Sequence, residues 1–373
     1  MKGEKTDKKR GGSWLKHPLP YFLNKKVRGF IMGTINLFLG EAKKEYGALP
    51  KEQIKRILLV RANFRIGNAI LATPSIFIFR KNFPQAVIDF AGYPVSVLLY
   101  RHLPIDHQYG VTRSFPGILW AYFALLYKLR SMKYDLAVDV SCSQSMVSSF
   151  IVGFSGARFR AGARGKCDRW FNISIPRPAE TNKYKVLPLF FQTMGMETQQ
   201  VFPQLILSPE EKAAGKEKIT ALMVPNHIPV VGVFVGGRKS KGKKWSVENF
   251  LKLINALRAQ RISVIVFFGP DERNLMSFFG QSLGEDVPLI FESSLRTFAS
   301  MVSHCKLFIA CDSGPMHLSC ALGVRTIALF LKRNFPHWGP PPEIAHIIYH
   351  AEGIQVEDVV KAAVAELCNV PSS

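Results

Sequence analysis

The sequence predicts an α/β protein of two successive parallel sheets, each covered by helices. Three observations carry the prediction. Short apolar runs alternate with helix-length segments, the alternation lapses near residues 200–225 and then resumes, and two of the runs open into Gly-containing turns that start a helix. The length agrees, since 373 residues suffice for two domains with separate cores and an appendage.

Residues 1–50 are expected to form a basic amphipathic arm. The first 48 carry eleven Lys and Arg against four acids, a charge of +7. Between Pro20 and Gly40 a cationic half (Lys25, Lys26, Arg28) precedes an apolar half (Phe30, Ile31, Ile35, Leu37, Phe38, Leu39). That half is shorter than the ~20 residues of a spanning helix and has no small-residue cleavage site. A helix lying on an anionic membrane fits the pattern, and so does one packed on the protein's own domain.

A first domain is expected over residues 51–205. Residues 56–60 read as a buried strand, 61–68 as a loop rich in Arg, Asn and Gly, and 69–82 as a helix. Strand 87–91, helix 116–130 and strand 135–140 continue a βαβ series. Residues 157–178 read as a basic loop carrying Arg158, Arg160, Arg164, Lys166, Arg169 and Arg177. A linker helix opens at Ser208-Pro209-Glu210-Glu211, and the second domain is taken as 206–373. There the alternation repeats, with strands 229–235, 263–268, 307–310 and 326–330 and helices 246–260, 272–283, 297–303 and 315–322. Two Rossmann-like domains facing a cleft follow from this order.

Composition narrows the partners. Forty-nine Lys and Arg against 27 Asp and Glu give +22, which selects for an anionic partner: nucleic acid, anionic lipid or a phosphorylated substrate. Nucleic acid is set aside because no helix-turn-helix, RNP or zinc pattern accompanies the charge. The six cysteines include no C-x-x-C pair and have the neighbours of core strands and helices, so free thiols and a cytoplasmic location are expected.

The most informative run is residues 309–324. An apolar strand leads into Asp312-Ser313-Gly314-Pro315-Met316-His317, and a small-residue helix follows. The first turn of a helix presents unpaired N–H groups and a positive dipole end, and Gly314 admits a ligand close to the backbone. Pro315 suits the first helical position, and Asp312 or Ser313 can cap the helix. The same spacing also describes an ordinary strand-to-helix turn.

Four segments taken in order resemble glycosyltransferase family 9, the lipopolysaccharide heptosyltransferases and their relatives. The first is Ile57-Leu58-Leu59-Val60-Arg61 with Arg65-Ile66-Gly67-Asn68 and Thr73-Pro74. The second is residues 134–139 with Ser155-Gly156-Ala157-Arg158 and Arg160-Ala161-Gly162. The third is Gly236-Gly237-Arg238 with Lys243-Lys244-Trp245-Ser246, and the fourth is residues 312–317 with Trp338-Gly339-Pro340. The resemblance implies a GT-B fold and a metal-independent, inverting sugar transfer with no cofactor beyond the nucleotide-sugar substrate. ADP-heptose is the leading donor and a lipopolysaccharide-core or other cell-envelope glycan the acceptor.

The resemblance also distributes roles. Gly236, Gly237, Lys243, Glu272 and residues Asp312, Ser313, Gly314, Pro315, Met316 and His317 become donor-binding candidates, and no metal ligand is implied. Without a metal, Lys243 and helix N–H groups must take up the charge that grows on the leaving diphosphate. Glu272 fits ribose hydroxyls or a helix dipole. Lys241 and Lys244 read as a solvated basic face. Arg61, Arg65 and Arg164 become acceptor-binding candidates, matching a phosphorylated glycan or glycolipid.

Asn68 departs from the pattern. The family carries an Asp after that Gly, proposed to deprotonate the acceptor hydroxyl, and an amide cannot take a proton in that way. Asn68 and Asp139 are therefore the catalytic candidates, Asn68 for positioning and Asp139 as substitute base; Asp139 serves equally as a turn cap. Residues 331–333, Leu-Lys-Arg, replace the family's Gly-Pro-Thr and add positive charge. Two functions follow: a glycosyltransferase held peripherally at the inner membrane, or a GT-B nucleotide-sugar-binding regulator that has lost catalysis.

Overall fold

The computed structural model describes residues 49–111, 118–143, 145–198, 201–222, 230–237 and 242–369. The basic arm of residues 1–48, Arg238 and Lys241 lie outside them. Two six-stranded, wholly parallel sheets are present among the described residues.

The first sheet has the order β3-β2-β1-β4-β5-β6, with β1 Arg56–Arg61, β2 Val87–Gly92, β3 His107–Gly110, β4 Leu136–Asp139, β5 Phe159–Ala163 and β6 Ile173–Ile175. β1 (RILLVR) is buried on both faces through Ile57, Leu58, Leu59 and Val60, as a central parallel strand requires. The second sheet has the order β12-β11-β10-β7-β8-β9, with β7 Val230–Phe234, β8 Ser263–Phe268, β9 Leu289–Phe291, β10 Leu307–Cys311, β11 Arg325–Leu329 and β12 Ala345–Ile348. In both sheets the strand order reverses beside a central strand, β1 in one and β10 in the other. Ligands of doubly wound sheets bind at such points, beyond the strands' C-terminal ends.

Helices α1 (Ile66–Ile70) and α2 (Pro74–Asn82) follow β1 as two pieces, where the sequence reads as one helix over 69–82. The chain turns at 71–73, with Thr73 Oγ1 donating to the Ile70 carbonyl at 2.8 Å and Pro74 opening the new helix. The basic loop expected at 157–178 contains β5, β6 and a 3₁₀ turn at Asp168–Trp170. Charge hid the strands: Arg158, Arg160 and Arg164 interrupt an apolar alternation whose inward members, Phe159, Ala161 and Ala163, are buried. The remaining helices of the first sheet are α3 (Pro94–Leu99), α4 (Ile118–Ser131), α5 (Met146–Phe154) and α6 (Val186–Gln192).

The expected helix at Ser208 is α7 (Pro209–Thr220). Its capping box has the Ser208 hydroxyl accepting from the Glu211 amide and the Glu211 carboxylate accepting from the Ser208 amide. Beyond it come α8 (Val247–Ala259), α9 (Met276–Leu283), α10 (Leu295–Val302), α11 (Gly314–Ala321), α12 (Phe335–Trp338) and α13 (Val356–Asn369). Near the crossing between sheets, the Gln204 amide donates to Thr73 Oγ1 at 2.9 Å and the Leu205 amide to the Ala321 carbonyl at 2.8 Å. The Arg296 guanidinium, nearly buried, pairs with Glu211 and donates to the Ile206 carbonyl. One apolar cluster joins both sheets, running from Phe79 and Phe191 to Phe234, Phe298 and Phe308.

Candidate active site

Two helix starts meet at the seam. α1 follows β1, α11 follows β10, and they approach through glycines. A β-carbon on Gly67 would stand 2.7 Å from His317 Cδ2, and one on Gly314 would stand 3.1 Å from Ile66 Cβ. Only glycine permits this approach without moving a helix.

Two cavities flank the contact, of about 320 and 300 Å³. The first, in the N-terminal sheet's edge, is lined by Arg61, Tyr93, Ser141, Ser143 and Lys183 among others, and no carboxylate is among its lining residues. The second spans the two sheets and is lined by Arg65, Gly67, Gly237, Lys243, Asp271, Glu272, Asp312, Ser313, Gly314, Pro315 and His317. Phe64, Asn68 and Trp338 line both, so Asn68 stands at the passage from one to the other.

The second cavity holds a charged floor. Lys243 Nζ pairs with Asp312 Oδ2, the oxygen that also accepts from Asn334 Nδ2 at 2.5 Å. The loop that presents Lys243 is pinned by buried Trp245 and by Ser246, whose hydroxyl caps α8 at 3.1 Å. Gly237 lies against it so closely that a β-carbon would sit 2.3 Å from the Lys243 carbonyl. Lys244, expected on a solvated face, is instead mostly buried with its ammonium 3.5 Å from Glu272. Burial raises the Glu272 carboxyl above the usual carboxylate range, against the opposing pull of Lys244.

The helix start at α11 is open. Neither Asp312 nor Ser313 caps it with a side chain, contrary to expectation: Asp312 is turned to Lys243, and the Ser313 Oγ is buried with no partner among the described residues. Asn334 Oδ1 is likewise buried and without a partner among the described residues. The Ser313 hydroxyl, the uncapped helix N–H groups and the Lys243 ammonium make a donor set for a phosphate-bearing ligand, while Asn334 Oδ1 is an acceptor suited to a ligand hydroxyl. His317 lies beneath, and burial lowers its pKa to about 4, so its ring is neutral at physiological pH. Its Nδ1 is 2.7 Å from the Tyr184 Oη.

In the first cavity Arg61 and Lys183 supply the charge. The Lys183 pKa is lowered by burial and by the neighbouring Arg61 and Arg177 cations. The backbone beside them is forced, with Cys142 at φ +49°.

Several expected site residues lie elsewhere. Asp139 is 1% exposed and lines neither cavity; its Oδ1 accepts from the Ser141 amide at 3.1 Å and its Oδ2 from Ser149 Oγ at 3.0 Å. It buttresses the turn after β4 from behind, the capping role that the spacing left open. Arg65 lines the second cavity and not the first, because α1 begins at Ile66 and swings it toward α11. Arg164 lines neither, being exposed at the end of β5 with its amide donating to the Ile175 carbonyl at 2.8 Å. Met316 is fully buried in the core, as a helix residue facing away from the cleft must be. Gly236 packs against Phe234 behind Gly237. Sequence reasoning missed Phe64, Tyr184, Lys183 and Asn334, which belong to no repeating pattern; the charged segment 331–333 was the one signal near Asn334.

The glycosyltransferase family 9 (heptosyltransferase) family model matches residues 122–363. The chain is 25% identical over 292 residues to lipopolysaccharide heptosyltransferase 3 of Escherichia coli, covering 74% of this chain and 83% of that one. A solved family 9 glycosyltransferase from Veillonella parvula superposes with a TM-score of 0.77 at 17% identity, over 88% of this chain and 99% of its own. The E. coli ADP-heptose lipopolysaccharide heptosyltransferase II does so with a TM-score of 0.69 at 18% identity, over 84% and 99%. At those identities the likeness is one of fold, the two facing domains of the GT-B arrangement.

Proposed function

The chain belongs to glycosyltransferase family 9, and from that premise we propose that it moves a sugar, heptose before others, from a nucleoside diphosphate carrier to a phosphorylated cell-envelope glycan of the lipopolysaccharide-core kind. ADP-heptose is the leading donor because relatives in sequence are named lipopolysaccharide heptosyltransferases and one in fold an ADP-heptose heptosyltransferase. The observation that carries the reading is the pair of cavities meeting at Asn68, one floored by Lys243 and an uncapped helix, the other by Arg61 and Lys183.

In this reading the diphosphate lies over Gly314 and Lys243, with the Ser313 hydroxyl donating to it and Asn334 Oδ1 left to accept from a hydroxyl of the donor. Lys243 leans from Asp312 toward the leaving phosphate as its charge grows, the part a metal ion would otherwise play. A single displacement from the face opposite the phosphate inverts the anomeric centre, and the acceptor hydroxyl gives its proton to solvent, since Asn68 cannot take it. Glu272 receives the ribose hydroxyls. The acceptor enters the first cavity, where Arg61 and Lys183 hold its anionic groups, and Asn68 orients the two sugars across the passage. The enzyme works on the cytoplasmic side, peripherally at the inner membrane, with the N-terminal arm as a tether.

The test is nucleoside diphosphate release from ADP-, GDP-, UDP- and dTDP-sugars, with and without a lipopolysaccharide-core acceptor. Release from ADP-heptose that requires acceptor supports the full reading, and release from another donor keeps the reaction and changes the sugar. Asn68 in place of an Asp favours one other reading, a donor-binding regulator without turnover. Binding of a nucleotide sugar with no release from any donor would establish it.

A further inference from the structure

Helix α4 (Ile118–Ser131) is apolar on both sides. Tyr122, Leu125 and Leu129 face the core of the first domain, while Trp120, Phe123 and Tyr127, at 79, 67 and 73% exposure, form a stripe on the outer side. A surface helix ordinarily turns polar residues outward, and a row of large aromatics there marks a contact surface. The helix contains no acid, and exposed cations flank its end: Lys128, Arg130 and Lys133.

Its position says what the surface faces. α4 follows β3 and packs beside α5, so its first turn, with Trp120, lies at the C-terminal edge of the first sheet. Ser143, Ser145, Met146 and Val147, at the start of α5, line the first cavity at that same edge. Arg164 and Lys166, exposed after β5, supply positive charge at that edge, while Lys128, Arg130 and Lys133 lie at the other end of the helix.

We propose that the outer face of α4 docks on an anionic lipid bilayer, with Trp120, Phe123 and Tyr127 seated at headgroup depth and the flanking lysines and arginines against acidic lipid. Trp and Tyr rings suit that depth because one end is apolar and the other polar. Charge decides against a second copy of this chain, since the helix contains no acid and a two-fold contact through α4 would leave these cations without a carboxylate of the partner helix in either orientation. The inference deepens the reading of a membrane-anchored acceptor, placing the mouth of the acceptor cavity beside the bilayer, and it adds a contact separate from residues 1–48.

The binding experiment uses the full chain with vesicles of phosphatidylethanolamine and phosphatidylglycerol and neither donor nor acceptor, so its outcome is independent of what the enzyme transfers; transfer is assayed separately. Tryptophan emission is quenched by bromine-labelled acyl chains in the wild type, and Trp120→Phe is expected to lose a clear share of that quenching. The triple variant W120S/F123S/Y127S is expected to partition on the order of tenfold more weakly, with an unchanged melting curve and unchanged transfer to a delipidated acceptor. Quenching that ignores Trp120, or unchanged partitioning of the triple variant, overturns the proposal. So does a wild-type dimer that the triple variant converts to monomer without loss of vesicle binding. Absent transfer in wild type and variant alike would count against the functional reading alone.

Discussion

The Tyr184 Oη lies 2.7 Å from His317 Nδ1, a buried hydrogen bond that ties the segment before α6 in the first domain to helix α11 in the second. The ring so held faces Gly67 with its Cδ2 edge, beside the passage between the two cavities. Fixing one nitrogen fixes the ring's orientation, and burial keeps it neutral. One polar pair and two glycines thus fix the contact beside the passage, within a seam that the Leu205–Ala321 hydrogen bond and the shared apolar cluster also hold.

Removing the phenol hydroxyl with Tyr184→Phe strands a buried imidazole nitrogen. Stability is expected to fall by about 1–3 kcal/mol, read as a lower denaturant midpoint at constant slope. A midpoint equal to wild type would show the bond to be dispensable.

Gly67→Ala places a methyl group where His317 Cδ2 already stands, 2.7 Å away. One helix start must move, at a cost of about 1–3 kcal/mol, and the passage at Asn68 moves with it. Both the melting temperature and kcat/KM are expected to drop, and a crystal structure of the variant should show α1 and α11 farther apart.

Lys243→Ala deletes the cation proposed to meet the leaving phosphate and leaves Asp312, 7% exposed, without its ammonium partner. Transfer kinetics are expected to show kcat/KM for the nucleotide sugar lower by one to three powers of ten, roughly the loss of one charged transition-state contact. Unchanged kcat/KM would take Lys243 out of the donor site.

Burial lifts the Asp139 pKa from an ordinary 3.8 to about 6. Between those values the folded protein holds a proton that the unfolded chain has released, so stability falls as pH rises from about 4 to 6, by up to about 3 kcal/mol. Asp139→Asn, whose amide can still bond Ser141 and Ser149, is expected to flatten that slope in unfolding titrations. With Asp139 walled off from both cavities, the variant should keep kcat/KM within about tenfold of wild type, whereas losing a general base costs about 10²–10⁴-fold.

Much of the architecture was legible because it rests on short-range pattern. Buried runs such as 57–60 and 307–310 are continuously apolar, and the turn at Asp312-Ser313-Gly314-Pro315 announces a helix by local backbone chemistry. Where charge masked the alternation, at β5 and β6, the pattern misled. The sites followed the same division. Lys243 and the 312–317 turn are contiguous motifs and could be singled out one segment at a time, while Tyr184 and Asn334 acquire meaning only beside His317 and Asp312, 133 and 22 residues away.

By itself the sequence determined two parallel α/β units, a strongly basic composition, the glycine turns after β1 and β10, and an amide at position 68. Tertiary structure alone decided which side of each turn faces the cleft. It withdrew Asp139, Arg164 and Met316 from the cavities, turned Arg65 to the second, set Asn68 at the passage between them, and left the aromatic row of α4 uncovered. The physical reason is that backbone conformation and burial period are encoded within a few residues, whereas a cavity wall is made where two sheets dock, and docking is fixed by contacts between residues far apart in the chain.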